Sequence, residues 1–393
     1  MITQGIYHTR ETARRILEIY IEGRDWFYFI TLLSVVFLHY GIAAAGQLAV
    51  PFFVIHTLSH LTLFGLHGHL RHSFQQSDDP AERIWRNAIR PRITILLLTV
   101  PTLLMANHTS TFIGFSALWL TGRFFNEILL AGARLKQKIN DWVAIRTLAL
   151  AGTSAYLLTA EEFFSAEMII RTMAIGELSM MLILLFASIS RFSIPVAPRI
   201  DFTQLQQALP HFYAQLLFTY NYYYLMVPIA FLLPLLATAA IYIQLLILSL
   251  GLVPAYIIWN DYRTGRPRMN ESELTAATLA LGIRGTVISF IIVTAGIFLT
   301  EFCQGDIGGM SVVLPQFIIL LTHYYTIPTL HALTEEGRIH ALIRLWFAFI
   351  FLQGISAFFI LQSEHPNSLF PVMAVIAIAQ SLAVFLLRNL KYE

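Results

Sequence analysis

Cysteine and charge are both scarce in this chain of 393 residues. The single cysteine, Cys303, excludes an intrachain disulfide framework and any metal cluster built from cysteine thiolates. Only 12% of the residues are charged, about half of what soluble globular domains carry, whereas 57% are hydrophobic. The charged surface that a soluble domain of this length would need is therefore missing.

Three signatures of catalysis are missing as well. The chain has no Gly-rich loop that could cradle phosphates, no His and Glu pair at the helical spacing of a metal site, and no nucleophile elbow. We therefore expect no cofactor, no metal and no enzymatic activity.

Long apolar stretches dominate what is present. A membrane helix needs about 20 largely apolar residues, and hydropathy divides the chain into about twelve candidate spans. Their approximate bounds are 26–40, 47–66, 93–106, 111–133, 142–158, 166–190, 211–233, 235–259, 275–300, 311–328, 345–361 and 369–387. The sequence predicts an all-α polytopic membrane protein.

The cationic residues are sorted between the two sides of these spans. We assign 22 of the 25 Lys and Arg residues to the termini or to alternate loops, and only Arg123, Arg171 and Arg284 to spans or span ends. Because cytoplasmic loops are enriched in Lys and Arg, both termini are predicted to be cytoplasmic, in a bacterial inner membrane.

The chain divides into two halves of equal plan. Residues 1–25 are rich in charge and lack a continuous apolar core, so we expect an amphipathic or solvated helical segment rather than a cleavable signal peptide. Pro195, Pro198 and Pro210 interrupt the middle of the chain. We predict a six-helix lobe at 26–190, a cytoplasmic linker at 191–210 and a second six-helix lobe at 211–393.

Polar side chains inside the spans are the candidate functional residues, because an ionisable group is costly in a membrane and is usually functional there. They cluster in spans two, four and seven, with a further carboxylate in span six. The predicted substrate-binding residues are Arg123, His56, His60, His211, Gln215, Tyr220, Asn221 and Tyr222, and the predicted coupling carboxylates are Glu127 and Glu177.

Each cluster also has a structural interpretation. The histidines of span two, which include His67, would then be hydrogen-bonded packing residues. Arg123 and Glu127, four residues apart, would neutralise each other along one helix. The tyrosines of span seven would form an interfacial aromatic belt.

Two segments carry a family resemblance. Residues 41–50, GIAAAGQLAV, and 59–71, SHLTLFGLHGHLR, resemble the first two spans of lipid-linked oligosaccharide flippases of the multidrug/oligosaccharidyl-lipid/polysaccharide (MOP) exporter superfamily. Residues 205–215, LQQALPHFYAQ, resemble the entry to span seven in that family. Two features depart from the family pattern: a Gly-Pro pair before the first turn is absent, and its span-seven Asp has no counterpart in 220–224.

The resemblance implies two six-helix lobes around a cavity lined by spans one, two, seven and eight. It implies a flippase that moves an undecaprenyl-diphosphate-linked oligosaccharide for O-antigen or other surface polysaccharide by alternating access, with Arg123 at the diphosphate. The implied partners are the lipid-linked glycan and membrane lipid, with no nucleic acid, and the protein acts as a monomer or within a polysaccharide synthesis complex.

Other functions stay open beside the flippase. The first is a cation-coupled small-molecule exporter of the same superfamily, with Glu127 as the coupling carboxylate. A major-facilitator transporter is disfavoured, because residues 67–92 lack that family's Gly- and Asp-Arg-containing turn. A polysaccharide polymerase or ligase would need catalysis by Glu161, Glu162 or Arg171 at the outer face.

Overall fold

The part of the chain that the computed structural model describes is mostly helical. The described residues are 20–21, 24–76, 79–105, 110–136, 138–159, 165–190, 193–195, 201–219, 248, 271–304, 310–362 and 368–389, and these contain no strand. The chain forms two compact units, one of residues 28–220 and one of residues 1–27 with 221–393.

The first part of the chain carries eight described helices. They are α1 Arg24–Tyr40, α2 Ile42–Leu63, α3 Leu66–Gln76, α4 Ala81–Met105, α5 Ser110–Lys136, α6 Ile139–Thr159, α7 Ala166–Phe186 and α8 Phe202–Thr219. The later part carries α9 Glu271–Gln304, α10 Met310–Glu335, α11 Ile339–Leu361 and α12 Leu369–Asn389. Helix α8 begins inside the range predicted as linker.

Several helices are suited to a bilayer. Among the described residues, Glu167–Phe186, Glu271–Ala295, His340–Ile360 and Leu369–Asn389 are each long and apolar enough to cross a membrane. Large apolar side chains such as Leu148, Phe290 and Phe351 are exposed on the helix surfaces, as expected where lipid is the solvent. The prediction of an all-α polytopic membrane protein is confirmed, while the number of spans and the side of the termini stay predictions.

Helix α5 packs closely on α7 because glycine removes the side chain at the contact. A Cβ atom added at Gly122 would lie 3.0 Å from the carbonyl carbon of Glu177, and one added at Gly132 would collide with the side chain of Ser190. Small residues let membrane helices approach in this way. The close approach places Asn126 of α5 directly against Glu177 of α7.

A break separates α2 from α3. Phe64 and Gly65 both take left-handed backbone angles, with φ of 42° and 67°. The Arg92 side chain satisfies the end of α2, because its Nε donates to the carbonyl of Leu63 at 2.6 Å and its Nη2 to that of Phe64 at 2.8 Å. The Phe64 ring stacks on Phe212 of α8, with centroids 4.2 Å apart.

Helix α4 begins before the apolar span predicted at 93–106. The polar connector 67–92 was expected to precede span three, yet α4 already starts at Ala81. The first turns are two-faced: Arg86 pairs with Glu82 at 2.6 Å on the exposed face, while Trp85 and Ile89 are buried. A hydropathy average over such a segment is polar, although one side of it belongs to the core.

The second unit uses the same packing device. A Cβ atom at Gly282 or Gly285 of α9 would collide with the rings of Tyr325 and Tyr324 of α10. Tyr324 sits in a core cluster with Leu274, Ala277, Leu281 and Ile327. The tyrosine rings of α10 therefore pack directly on the glycines of α9.

Candidate functional site

Three buried polar residues of α5 organise the site in the first unit. Arg123, Asn126 and Glu127 lie within two helical turns and are all buried. Spacings of three and four residues place them on adjoining faces of the helix. Their hydrogen bonds reach three different neighbours, α2, α7 and α3.

Arg123 bonds to a histidine of α2. Its Nη2 lies 2.6 Å from His56 Nδ1. Because a guanidinium only donates, Nδ1 must accept, so the ring is neutral and carries its proton on Nε2. The His56 ring stacks on Phe52 at 5.5 Å and meets the edge of His60 at 4.5 Å, so a face of aromatic and imidazole rings covers Arg123.

Glu127 bonds to a histidine beyond the α2 break. Its Oε2 lies 2.9 Å from Nε2 of His67, at the start of α3. The Glu127 side chain is 3% exposed and that of His67 is 24% exposed. The pair therefore joins a buried carboxylate to a part-exposed side chain.

Glu177 of α7 is held from two sides. Asn126 donates through Nδ2 to Glu177 Oε2 at 2.5 Å and to its backbone carbonyl at 3.0 Å. Arg146 of α6 approaches Oε1 to 3.5 Å, with both charged side chains no more than 2% exposed. The Arg146 guanidinium also lies over the rings of Tyr28 and Trp142, at 4.8 and 5.6 Å.

The position of Arg146 corrects the prediction that only three Lys and Arg residues lie in spans or at span ends. The count of 22 outside the spans is wrong, because Arg146 lies inside α6 and is buried. Its position within the predicted span 142–158 was the signal that could have revealed it. The acidic partner expected for such a cation is Glu177, 31 residues further along the chain.

The remaining predicted residues are placed as follows. His211 of α8 packs against α3, where a Cβ atom at Gly68 would lie 3.0 Å from the His211 side chain. The side chain of Gln215 and the whole of Tyr220, Asn221 and Tyr222 lie outside the described residues. Arg171 and Arg284 are exposed on α7 and α9.

His69 of α3 lies 6.5 Å from His211, ring centre to ring centre. Burial, with smaller contributions from the nearby charges of Arg92 and His211, lowers the pKa of His69 to about 4, against the opposing effect of a hydrogen bond with Gln204. His69 is therefore neutral at physiological pH. In the part of the chain that the structure describes, no cluster of His, Cys, Asp and Glu is arranged to hold a metal.

Comparison with known proteins gives the architecture a precedent. No protein-family model matches the chain, and no curated protein matches it by sequence. A solved MOP superfamily transporter from Pyrococcus furiosus, whose reversed binding-pocket polarity suggests a different function, matches with a TM-score of 0.54 and 12% identity over 95% of this chain and 94% of that one. The chain has a MOP transporter fold. A MATE protein in complex with Br-NRF matches with a TM-score of 0.50 and 14% identity, over the same shares.

At these identities the likeness concerns the fold alone. The expected likeness to MOP transporter folds is confirmed, whereas the two six-helix lobes, the cavity between them and the lipid-linked oligosaccharide flippase stay predictions. In this MOP transporter fold, the network around Arg123, Asn126 and Glu127 lies wholly within the unit of residues 28–220.

Proposed function

We propose that the chain is a proton-coupled exporter with Glu127 as its coupling carboxylate. The observation that carries the proposal is the bond between buried Glu127 and part-exposed His67, at 2.9 Å. A carboxylate inside a membrane protein is costly to ionise without a partner, so its protonation depends on what His67 supplies.

The chemistry needs no group beyond these two. Histidine takes up a proton near neutral pH, and protonated His67 donates Nε2–H to Glu127 Oε2. Transfer of that proton leaves a neutral carboxylic acid and a neutral imidazole, which bind each other more weakly than the ions do. Transfer of the proton from His67 to Glu127 thereby loosens the contact between α5 and α3, and a ligand that prefers one of the two arrangements shifts their populations.

Glu177 takes a different role from Glu127. Its partner Arg146 stays protonated at any physiological pH and stacks on two aromatic rings. Glu177 Oε2 also accepts a hydrogen bond from Asn126 of α5, so this carboxylate connects α5, α6 and α7. We therefore assign Glu177 to holding α5, α6 and α7 together, and proton coupling to Glu127 alone.

The nature of the substrate separates two candidates. Arg123 is buried and its Nη2 already bonds to His56, so a bulky lipid-linked diphosphate would have to displace His56 to reach it. A small molecule that binds without contacting Arg123 needs no such displacement, and one protein of this fold was solved with Br-NRF. We therefore favour a small-molecule substrate, in a bacterial inner membrane with both termini cytoplasmic.

The flippase remains the second candidate. What favours it is the association of Arg123 with the rings of His56 and His60, because guanidinium groups grip phosphate oxygens and aromatic faces pack on sugars. In a deletion strain, full-length lipid-linked glycan trapped on the cytoplasmic leaflet, with unchanged drug susceptibility, would replace the exporter by the flippase.

Transport in inverted membrane vesicles tests the coupling. Ethidium is the transported probe. A pH-sensitive dye reports the protons that leave or enter the vesicles when ethidium is added. Glu127→Gln is expected to abolish the exchange, and His67→Gln to slow it, since glutamine keeps a hydrogen bond but carries no proton. Glu336→Gln, an exposed carboxylate after α10, is the matched control. Wild-type exchange by Glu127→Gln would rule out this carboxylate.

A further inference from the structure

An open groove of about 430 Å³ runs between α6 and α7, and it is lined by none of Arg123, Asn126, Glu127 and His67. It arises because small residues line it on both helices, among them Gly152 of α6 and Gly176 of α7. Exposed apolar side chains form its rims, including Leu148 and Ile175. The groove is distinct from the site assigned to transport.

The walls of this groove are apolar in chemistry. Four lining residues carry hydroxyl groups: Thr153, Tyr156, Thr172 and Ser179. The two threonine hydroxyls are already used, because Thr153 donates to the carbonyl of Ala149 and Thr172 to that of Met168, each at 2.8 Å. Hydroxyls that bond back to their own helix leave little for a polar ligand. A hydrocarbon chain suits such walls better than a sugar.

A guanidinium stands at one end of the groove. A Cβ atom at Gly176 would lie 2.8 Å from Thr153 Oγ1, which fixes the antiparallel register of α6 and α7. Arg171 comes five residues before Gly176, so it lies where α6 ends, near Tyr156. It is exposed, and no described residue forms an ion pair with it.

The position of Arg171 is unusual in two respects. Cations in membrane helices generally face a partner or a cavity, and Lys and Arg are concentrated on the cytoplasmic side. Arg171 instead stands on an exposed surface next to the turn between α6 and α7, which is predicted to be on the outer side. An anion supplied from outside the protein would account for it.

We propose that this groove binds one anionic phospholipid, with an acyl chain between α6 and α7 and the phosphate at Arg171. Arginine is suited to phosphate because its fork matches two oxygens at once. The groove also has the right length: the twelve steps from Arg171 to Ile183 at 1.5 Å each span about 18 Å, close to half of the roughly 30 Å hydrocarbon core. The bound lipid belongs to the leaflet next to the α6–α7 turn.

Native mass spectrometry of the full-length protein in detergent tests the lipid site. The probes are palmitoyl-oleoyl phosphatidylglycerol, the phosphatidylcholine with the same chains, and inorganic phosphate. We expect tighter binding of phosphatidylglycerol than of phosphatidylcholine. Arg171→Gln should weaken phosphatidylglycerol about tenfold, the loss expected for one charge-assisted hydrogen bond, and Arg171→Lys should restore part of it.

Filling the groove tests the acyl-chain half of the proposal. An added Cβ atom at Gly152 meets nothing within 4 Å, so Gly152→Leu should fill the groove without strain and weaken both phospholipids. Gly354→Leu on α11 is the matched control, because Gly354 is equally open. Gly152→Val provides a smaller step, and melting temperature checks that each variant is folded.

Three results would overturn the proposal. Equal affinity for phosphatidylglycerol and phosphatidylcholine in the wild type would remove the role of the phosphate charge. Unchanged lipid binding by both Arg171→Gln and Gly152→Leu would place the lipid elsewhere. Displacement of phosphatidylglycerol by inorganic phosphate at equal concentration would show that the site binds an anion but no acyl chain.

Discussion

Removal of the Arg146 charge should be among the most destabilising single changes in the first unit. Arg146→Met keeps most of the side-chain volume but leaves the Glu177 carboxylate, 1% exposed, without its cation. Breaking a buried ion pair on one side costs about 3–5 kcal/mol. The remaining bond from Asn126, at 2.5 Å, cannot supply the missing charge.

The reverse change should cost less. Glu177→Gln leaves Arg146 over the rings of Tyr28 and Trp142, and a desolvated cation–π contact contributes about 2 kcal/mol. We therefore expect Glu177→Gln to lower the free energy of unfolding by roughly 2 kcal/mol less than Arg146→Met does. The double variant, Arg146→Met with Glu177→Gln, should recover much of the stability that Arg146→Met loses, because no buried charge is then left without a partner.

Unfolding in detergent by denaturant titration measures all three variants. A double-mutant cycle over Arg146 and Glu177 gives their coupling free energy without assuming what either residue does alone. If Arg146→Met unfolds like the wild type, or if the double variant is less stable than Arg146→Met, the buried pair does not hold these helices as described.

Three further predictions concern separate parts of the fold. Gly65→Ala should destabilise the α2–α8 contact by about 1–3 kcal/mol, because its Cβ atom would lie 2.6 Å from the Phe212 backbone nitrogen at a φ of +67°; wild-type denaturant stability would contradict this. Gly285→Ala should lower the melting temperature, because the added methyl collides with the Tyr324 ring; an unchanged melting temperature would mean that the ring moves aside freely. The pKa of His69 is 6.5 in the unfolded chain but about 4 in the folded protein, so the free energy of unfolding decreases as the pH is lowered from 6.5 to 4. His69→Gln should make the melting temperature less sensitive to pH in this window; a pH profile identical to that of the wild type would refute this.

The sequence was sufficient for the class of fold but less so for helix limits. Hydropathy and length identify membrane helices because the bilayer sets both. The same averaging failed at α4, whose first turns pair Glu82 with Arg86 outside and bury Trp85 inside. A two-faced helix at the edge of a membrane protein gives no apolar run to detect.

The site shows what spacing along the chain can and cannot predict. Helical spacing predicted that Arg123 and Glu127 share a face of α5, and suggested that they neutralise each other. The structure gives them His56 and His67 as partners, 67 and 60 residues away. Those pairings depend on the break at Gly65 and on how α2 and α3 pack against α5, which no local pattern in the sequence encodes.

The Arg92 contact has an evolutionary consequence. Its guanidinium bonds to the main-chain carbonyls of Leu63, Phe64 and Ala88, so it crosslinks α2 to α4 without reading any partner side chain. Substitutions at those three positions can accumulate while the crosslink survives. Lysine cannot replace the arginine, because its donors radiate from one atom. In distant relatives with this crosslink, the arginine should persist while the residues around it drift.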